Sequence, residues 1–125
     1  MQGNFFPPLI DVPESRLRII RMTGVGAGAP TKNVGKGVTI TRVGAGGYKA
    51  TFNEFTGFFV GCAVSLESAT MTDIKNFSVI VKNYDATNRA IEFDLFNAAG
   101  TATDLAANQQ IVLFALFAGI NSGLA

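Results

Sequence analysis

Apolar and polar residues alternate with a period of two along most of the second half of the chain. From Phe77 the sequence runs FSVIVKNYDATNRAIEFDLFNAAGTATDLAANQQIVLFALFAG, three apolar runs separated by clusters of Asn, Asp, Thr and Gly. Successive side chains of a strand point to opposite faces, so Phe77, Val79 and Val81 share one face, and Ile91, Phe93 and Leu95 share another. The pattern predicts strands over about 77–83, 89–97 and 110–118. In the last of these, IVLFALF, every position is apolar. Both of its faces are expected to be covered, one by the core and the other by a partner or by another part of the chain.

The first half gives weaker but similar signals. RLRIIRMTG, residues 16–24, reads as a strand with Leu17 and Ile19 on one face and Ile20 and Met22 on the other, beside Arg16 and Arg18. GVGAGAPTKNVGKG reads as a long glycine-rich loop. VTITRVGAGGYKATFNEF reads as a hairpin bending at Gly44, Gly46 and Gly47, with Val38 and Ile40 on one arm and Tyr48, Ala50 and Phe52 on the other. In FFVGCAVSLE, Val60, Cys62, Val64 and Leu66 are expected to line one face. Gly61 and Ala63 leave the opposite face small enough for another backbone to approach. SATMTDIKN and TATDLAANQQ each have room for one helical turn.

Seven or eight short strands at this spacing predict an all-β chain, a jelly-roll-like antiparallel β-sandwich over residues 16–125. Residues 1–15 hold three of the four prolines and the pair Phe5 and Phe6, and predict an extended N-terminal arm. The arm is too apolar for a purely solvated tail. Phe5, Phe6, Pro7, Pro8, Leu9 and Ile10 are its candidate partner contacts.

Composition adds a reason to expect a partner. Hydrophobic residues make up 48% of the 125 and charged residues 15%, against about 25% charged in an ordinary soluble domain. A monomer of this size would leave much apolar surface in water, so a homo-oligomer is expected. The net charge is only +1, yet it is unevenly placed. Arg16, Arg18, Arg21, Lys32, Lys36, Arg42 and Lys49 lie between residues 16 and 53 with no acidic residue among them, whereas most acidic residues follow Glu54. Binding of nucleic acid would ask for a denser basic patch and a higher isoelectric point. The two halves are expected to meet each other, within the sandwich or between subunits.

Candidate chemistry is sparse. The chain has no histidine, no tryptophan and one cysteine, Cys62, within an apolar run. That removes most nucleophile–base pairs and metal-ligand sets, and predicts no enzyme, no metal and no cofactor. TGVGAGAP has the look of a dinucleotide fingerprint, but Pro30 and the glycines after it forbid the helix that would hold a pyrophosphate. Glu92 and Asp94 share a strand face and read as a polar surface. Asp85 and Asp104 read as turn residues bonding their own backbone. Residues 1–15 lack the charged and apolar regions of a signal peptide, and no run of about 18 apolar residues predicts a membrane span. Synthesis and first folding in a cytoplasm are expected.

The ordered blocks GKGVTITRVGAGGYKATFNE, VGCAVSLE and KNFSVIVKNYDATNRAIEFDLFNAAGTATDLAANQQIVLFALF resemble small virion proteins of tailed bacteriophages. In that group a short jelly-roll or similar sandwich decorates the capsid as a cement protein. ITRVGAGGYKATF resembles a TRTGTGxYxVTF type of hairpin, and NAAGTATDLAANQQIVLFALF resembles the ending. Similar strands occur in the jelly-roll trimers of tumour-necrosis-factor-like and complement-head-like proteins. The resemblance implies a structural virion protein on the capsid surface, a homotrimer whose partner is the major capsid protein, with no catalytic site and no direct contact with nucleic acid or membrane. The alternative is a carbohydrate- or receptor-binding module of a tail or fibre.

Overall fold

Among the described residues eight strands form, in the order β1 (Arg16–Thr23), β2 (Thr31–Val34), β3 (Val38–Gly44), β4 (Gly47–Phe52), β5 (Phe58–Ser68), β6 (Ser78–Val81), β7 (Ala90–Phe96) and β8 (Gln109–Ala118). The structure is a computed structural model that describes residues 16–53 and 57–118. The strands make two four-stranded sheets, β2-β1-β8-β5 and β3-β4-β7-β6. All pairings are antiparallel. The two sheets pack face to face as a β-sandwich. The pairing of β1 with β8 is one that a jelly roll makes, while the hairpins β1–β2, β3–β4 and β6–β7 each stay within one sheet.

The period-two pattern explains the layering. Ile20 and Met22 of β1 face inward with Ile111, Leu113, Ala115 and Phe117 of β8. Opposite them lie Val38, Tyr48, Ala50, Phe52, Ile91, Phe93 and Leu95 of the second sheet, and all of these are buried. Phe52 meets Phe117 edge-on across the two layers, with ring centroids 5.1 Å apart. Full burial of each such side chain contributes about 1.5–3 kcal/mol.

Three local features depart from the sequence reading. The glycine-rich loop contains β2, a four-residue strand that pairs with Arg21–Thr23 across an irregularity between Arg21 and Met22. Its Thr31 and Val34 favour a strand, but Pro30 and Gly35 on either side mask so short a run. Lys32 is therefore anchored rather than loose, and its ammonium donates to the Val38 carbonyl. In β5 a bulge between Phe59 and Gly61 shifts the register. Phe59, not Val60, joins the inward face with Cys62, Val64 and Leu66, and stacks on Tyr84 at 4.7 Å. Val60 points out and is half exposed. Finally, residues 101–108 form no helical turn, whereas the turn that SATMTDIKN allows does form, as a 3₁₀ turn at Met71–Asp73.

Residues 101–108 instead lie across one open end of the sandwich. The buried Tyr48 hydroxyl accepts the Leu105 N–H at 2.6 Å. The Asp104 carboxylate accepts from Arg42 Nε and Nη2, at 2.9 and 3.0 Å, and from the Gly46 N–H at 2.9 Å. Asp104 is thus a long-range tie and not the local turn residue that its surroundings suggest. Asp85 does act locally, accepting the Thr87 and Asn88 N–H groups. Gly46 is required at the hairpin bend. Its φ is +70°, and a Cβ there would come within 2.6 Å of the Thr103 nitrogen.

Candidate functional site

The outer face of the first sheet can be mapped from its registers. Leu17 pairs with Leu116, and Leu116 with Gly61. Ile19 pairs with Phe114, and Phe114 with Ala63. Arg21 pairs with Val112, and Val112 with Ser65. Thr23, Gln110 and Glu67 make the next row. Alternation turns all of these away from the core residues between them.

The face divides into two halves. At the end carrying Thr23, Gln110 and Glu67 it is polar. Arg21 forms a two-pronged ion pair with Glu67, at 2.9 and 3.0 Å, and also donates to the Gln110 side-chain oxygen. The bridge joins β1 to β5 across β8, and Val112 in its row is buried. An exposed pair of this kind adds little stability. Its effect here is to give this half a hydrated surface. With Arg42–Asp104 it makes two ion pairs that join the basic stretch of the chain to the acidic stretch within one domain.

The other half carries no such ion pair among the described residues. Leu17 is 56% exposed, Ile19 43%, Phe58 51% and Val60 48%. Phe114 and Leu116 are half-buried between them. At Gly61 a Cβ would meet nothing within 4 Å. The surface therefore dips along Gly61 and Ala63, between the flanking aromatic and aliphatic side chains. Apolar residues exposed side by side make this half the candidate contact surface. The sequence placed Leu17 and Ile19 on one face and left Gly61 and Ala63 as a small stripe. It did not bring them together, because their adjacency depends on the β1–β8–β5 order.

β1 begins at Arg16 opposite Phe117, β8 ends at Ala118, and Phe58 begins β5 opposite Ala118. All three strand ends thus lie at the apolar end of the sheet. The predicted arm contacts Phe5, Phe6, Pro7, Pro8, Leu9 and Ile10 lie outside the described residues.

Among the described residues, the other titratable groups with shifted pKa values sit in structural surroundings. Cys62 faces the core half-buried, and burial pushes its thiol pKa up, away from the reactive thiolate. Tyr48 is pushed up by burial, an effect partly offset by the Leu105 N–H it accepts. The Arg42 guanidinium, followed by the Gly46 N–H, holds Asp104 below the usual carboxylate range. The Asn88 side chain, then its N–H, does the same for Asp85. Tyr48, Asp104 and Asp85 are occupied in structural bonds. An open groove of about 670 Å³ at the far end of β5 is lined by Leu66, Glu67, Ser68, Met71, Thr72, Ile74 and Lys75, with no nucleophile–base pair. Among the described residues no group of three or more His, Cys, Asp or Glu could hold a metal ion. No helix of the described residues is long and apolar enough to cross a membrane.

No protein-family model matches the chain, no curated protein matches it, and no solved structure matches its fold.

Proposed function

We propose that this chain is a non-enzymatic structural protein that assembles with copies of itself as a homotrimer and decorates the outer surface of a phage capsid. One observation carries the assembly part of this reading. The apolar half of the first sheet's outer face, with Leu17, Ile19, Phe58 and Val60 half exposed, belongs to a sandwich whose core is already filled. Such a face stabilises an assembly when it is buried, and bound copies add contact area that shell opening must break. The capsid, the trimeric state and the major capsid protein as partner rest on the resemblance of the strand blocks to small phage virion proteins.

The glycan-binding alternative is less well supported by the residues present. Sugar sites use exposed aromatic platforms, and neither tyrosine is available as one. Tyr48 is fully buried, and Tyr84 is stacked on Phe59 and edge-on to Phe117.

The test compares particles with and without the protein in heat-induced genome release. Particles lacking it are expected to open at lower temperature. Equal release curves, or absence of the protein from purified virions, would remove the decoration reading.

A further inference from the structure

We infer that residues 5–10 of one copy, FFPPLI, lie on the apolar half of the first sheet's outer face in a neighbouring copy. This rests on the self-assembly reading above and names the segment and the surface that make the contact. The length fits. From Phe58 to Ala63 along β5 the apolar half extends about 17 Å at strand rise, and residues 5 to 10 in the polyproline conformation would span about 16 Å. The chemistry fits as well. Phe5, Phe6, Leu9 and Ile10 are apolar and need cover, and the dip along Gly61 and Ala63 lies between Phe58, Val60, Phe114 and Leu116. Pro7 and Pro8 have no N–H. The segment therefore cannot extend β5's outer edge by a full ladder, although among the described residues no strand pairs there. It is suited to lie across side chains.

The position of the segment selects the neighbouring copy. The chain is extended from Arg16, at the apolar end of the sheet, and Pro13 biases Val12 toward extended geometry. A chain that kept the β1 direction before Arg16 would pass the end of its own sheet, and would need a reversal within a few residues to reach its own outer face.

The experiment is a disulfide trap in the full chain. Cys62→Ser removes the native thiol, and Phe6→Cys and Ala63→Cys place one thiol on the arm and one in the dip. After mild oxidation, a non-reducing gel is expected to show species at two and three times 13.2 kDa. A disulfide closed within one 13.2 kDa chain would overturn the inference, and so would two thiols that stay free. Circular dichroism confirms that the variant is folded. If it is not, deletion of residues 1–14 from the otherwise unchanged chain decides the matter. Light scattering at micromolar concentration is expected to show loss of the oligomer, and an unchanged oligomer would overturn the inference. A chain that is trimeric but does not cross-link sinks only the arm contact. A full chain that is already monomeric sinks the assembly reading beneath it.

Discussion

Asp104 accepts two hydrogen bonds from Arg42, at 2.9 and 3.0 Å, across a sequence separation of 62 residues. The pair holds residues 97–108 against the bend of the β3–β4 hairpin, because the same carboxylate takes the Gly46 N–H. Both side chains are about three-quarters covered, which separates this pair from the more exposed Arg21–Glu67 bridge. Its consequence is a pH dependence. Asp104 is held below its unfolded pKa by Arg42 and then by Gly46. The stabilisation is therefore complete above the usual aspartate value of about 3.9, and is lost as pH falls through the lower native value. Asp104→Asn is expected to lower the denaturation midpoint at about pH 7. The gap from the unchanged chain should narrow as the pH is lowered past the usual aspartate value. Urea titrations across that pH range check it.

Tyr48→Phe is expected to cost about 1–3 kcal/mol, since it leaves the buried Leu105 N–H without its 2.6 Å acceptor while keeping the ring. Equilibrium denaturation measures the cost. Hydrogen exchange at Leu105 should quicken in the variant more than at Ile91, which sits within the β4–β7 ladder.

Phe93→Ala or Leu113→Ala is expected to cost roughly 2–5 kcal/mol, because each removes a fully packed inward side chain and leaves a cavity. Lys32→Ala should cost about 0.5–1.5 kcal/mol, the usual worth of one hydrogen bond, through loss of its bond to the Val38 carbonyl. Denaturant melts of the three variants rank them.

Leu17→Glu with Ile19→Glu is expected to leave the strand signal in circular dichroism intact, because both side chains are about half exposed and point away from the core. The same pair of changes should reduce the mass in light scattering to that of the 13.2 kDa chain. An oligomer that survives both charges would show that it is built on another surface.

Much of the layering was legible wherever alternation was regular and the strand was long. The β7 residues Ile91, Phe93 and Leu95 and the hairpin residues Tyr48, Ala50 and Phe52 all face the core as their spacing requires. β5 shows where alternation alone fails. A bulge inserts one residue and exchanges Val60 for Phe59 on the inward face, and no local composition marks it apart from Gly61. Asp104 shows a second limit. TATDLAAN looks like a self-contained turn, yet the partners that matter, Arg42 and Gly46, come from a distant hairpin. The apolar half of the outer face was legible only in fragments. The sequence shows Leu17 and Ile19, the Gly61–Ala63 stripe and the all-apolar last strand separately, and strand order alone places them side by side.

β8 lies between β1 and β5 in the first sheet, yet it is the last described strand along the chain. During synthesis the second sheet has all four of its strands once β7 has emerged. At that stage β1 and β5 still lack the strand that joins them. The inward faces of Phe52 and Phe93 must then wait, uncovered, for Ile111, Leu113 and Phe117 to arrive. Such distant pairing slows folding and prolongs exposure of sticky intermediates. The emergence of β8 therefore sets the moment at which the domain becomes safe from aggregation, whatever its stability once folded.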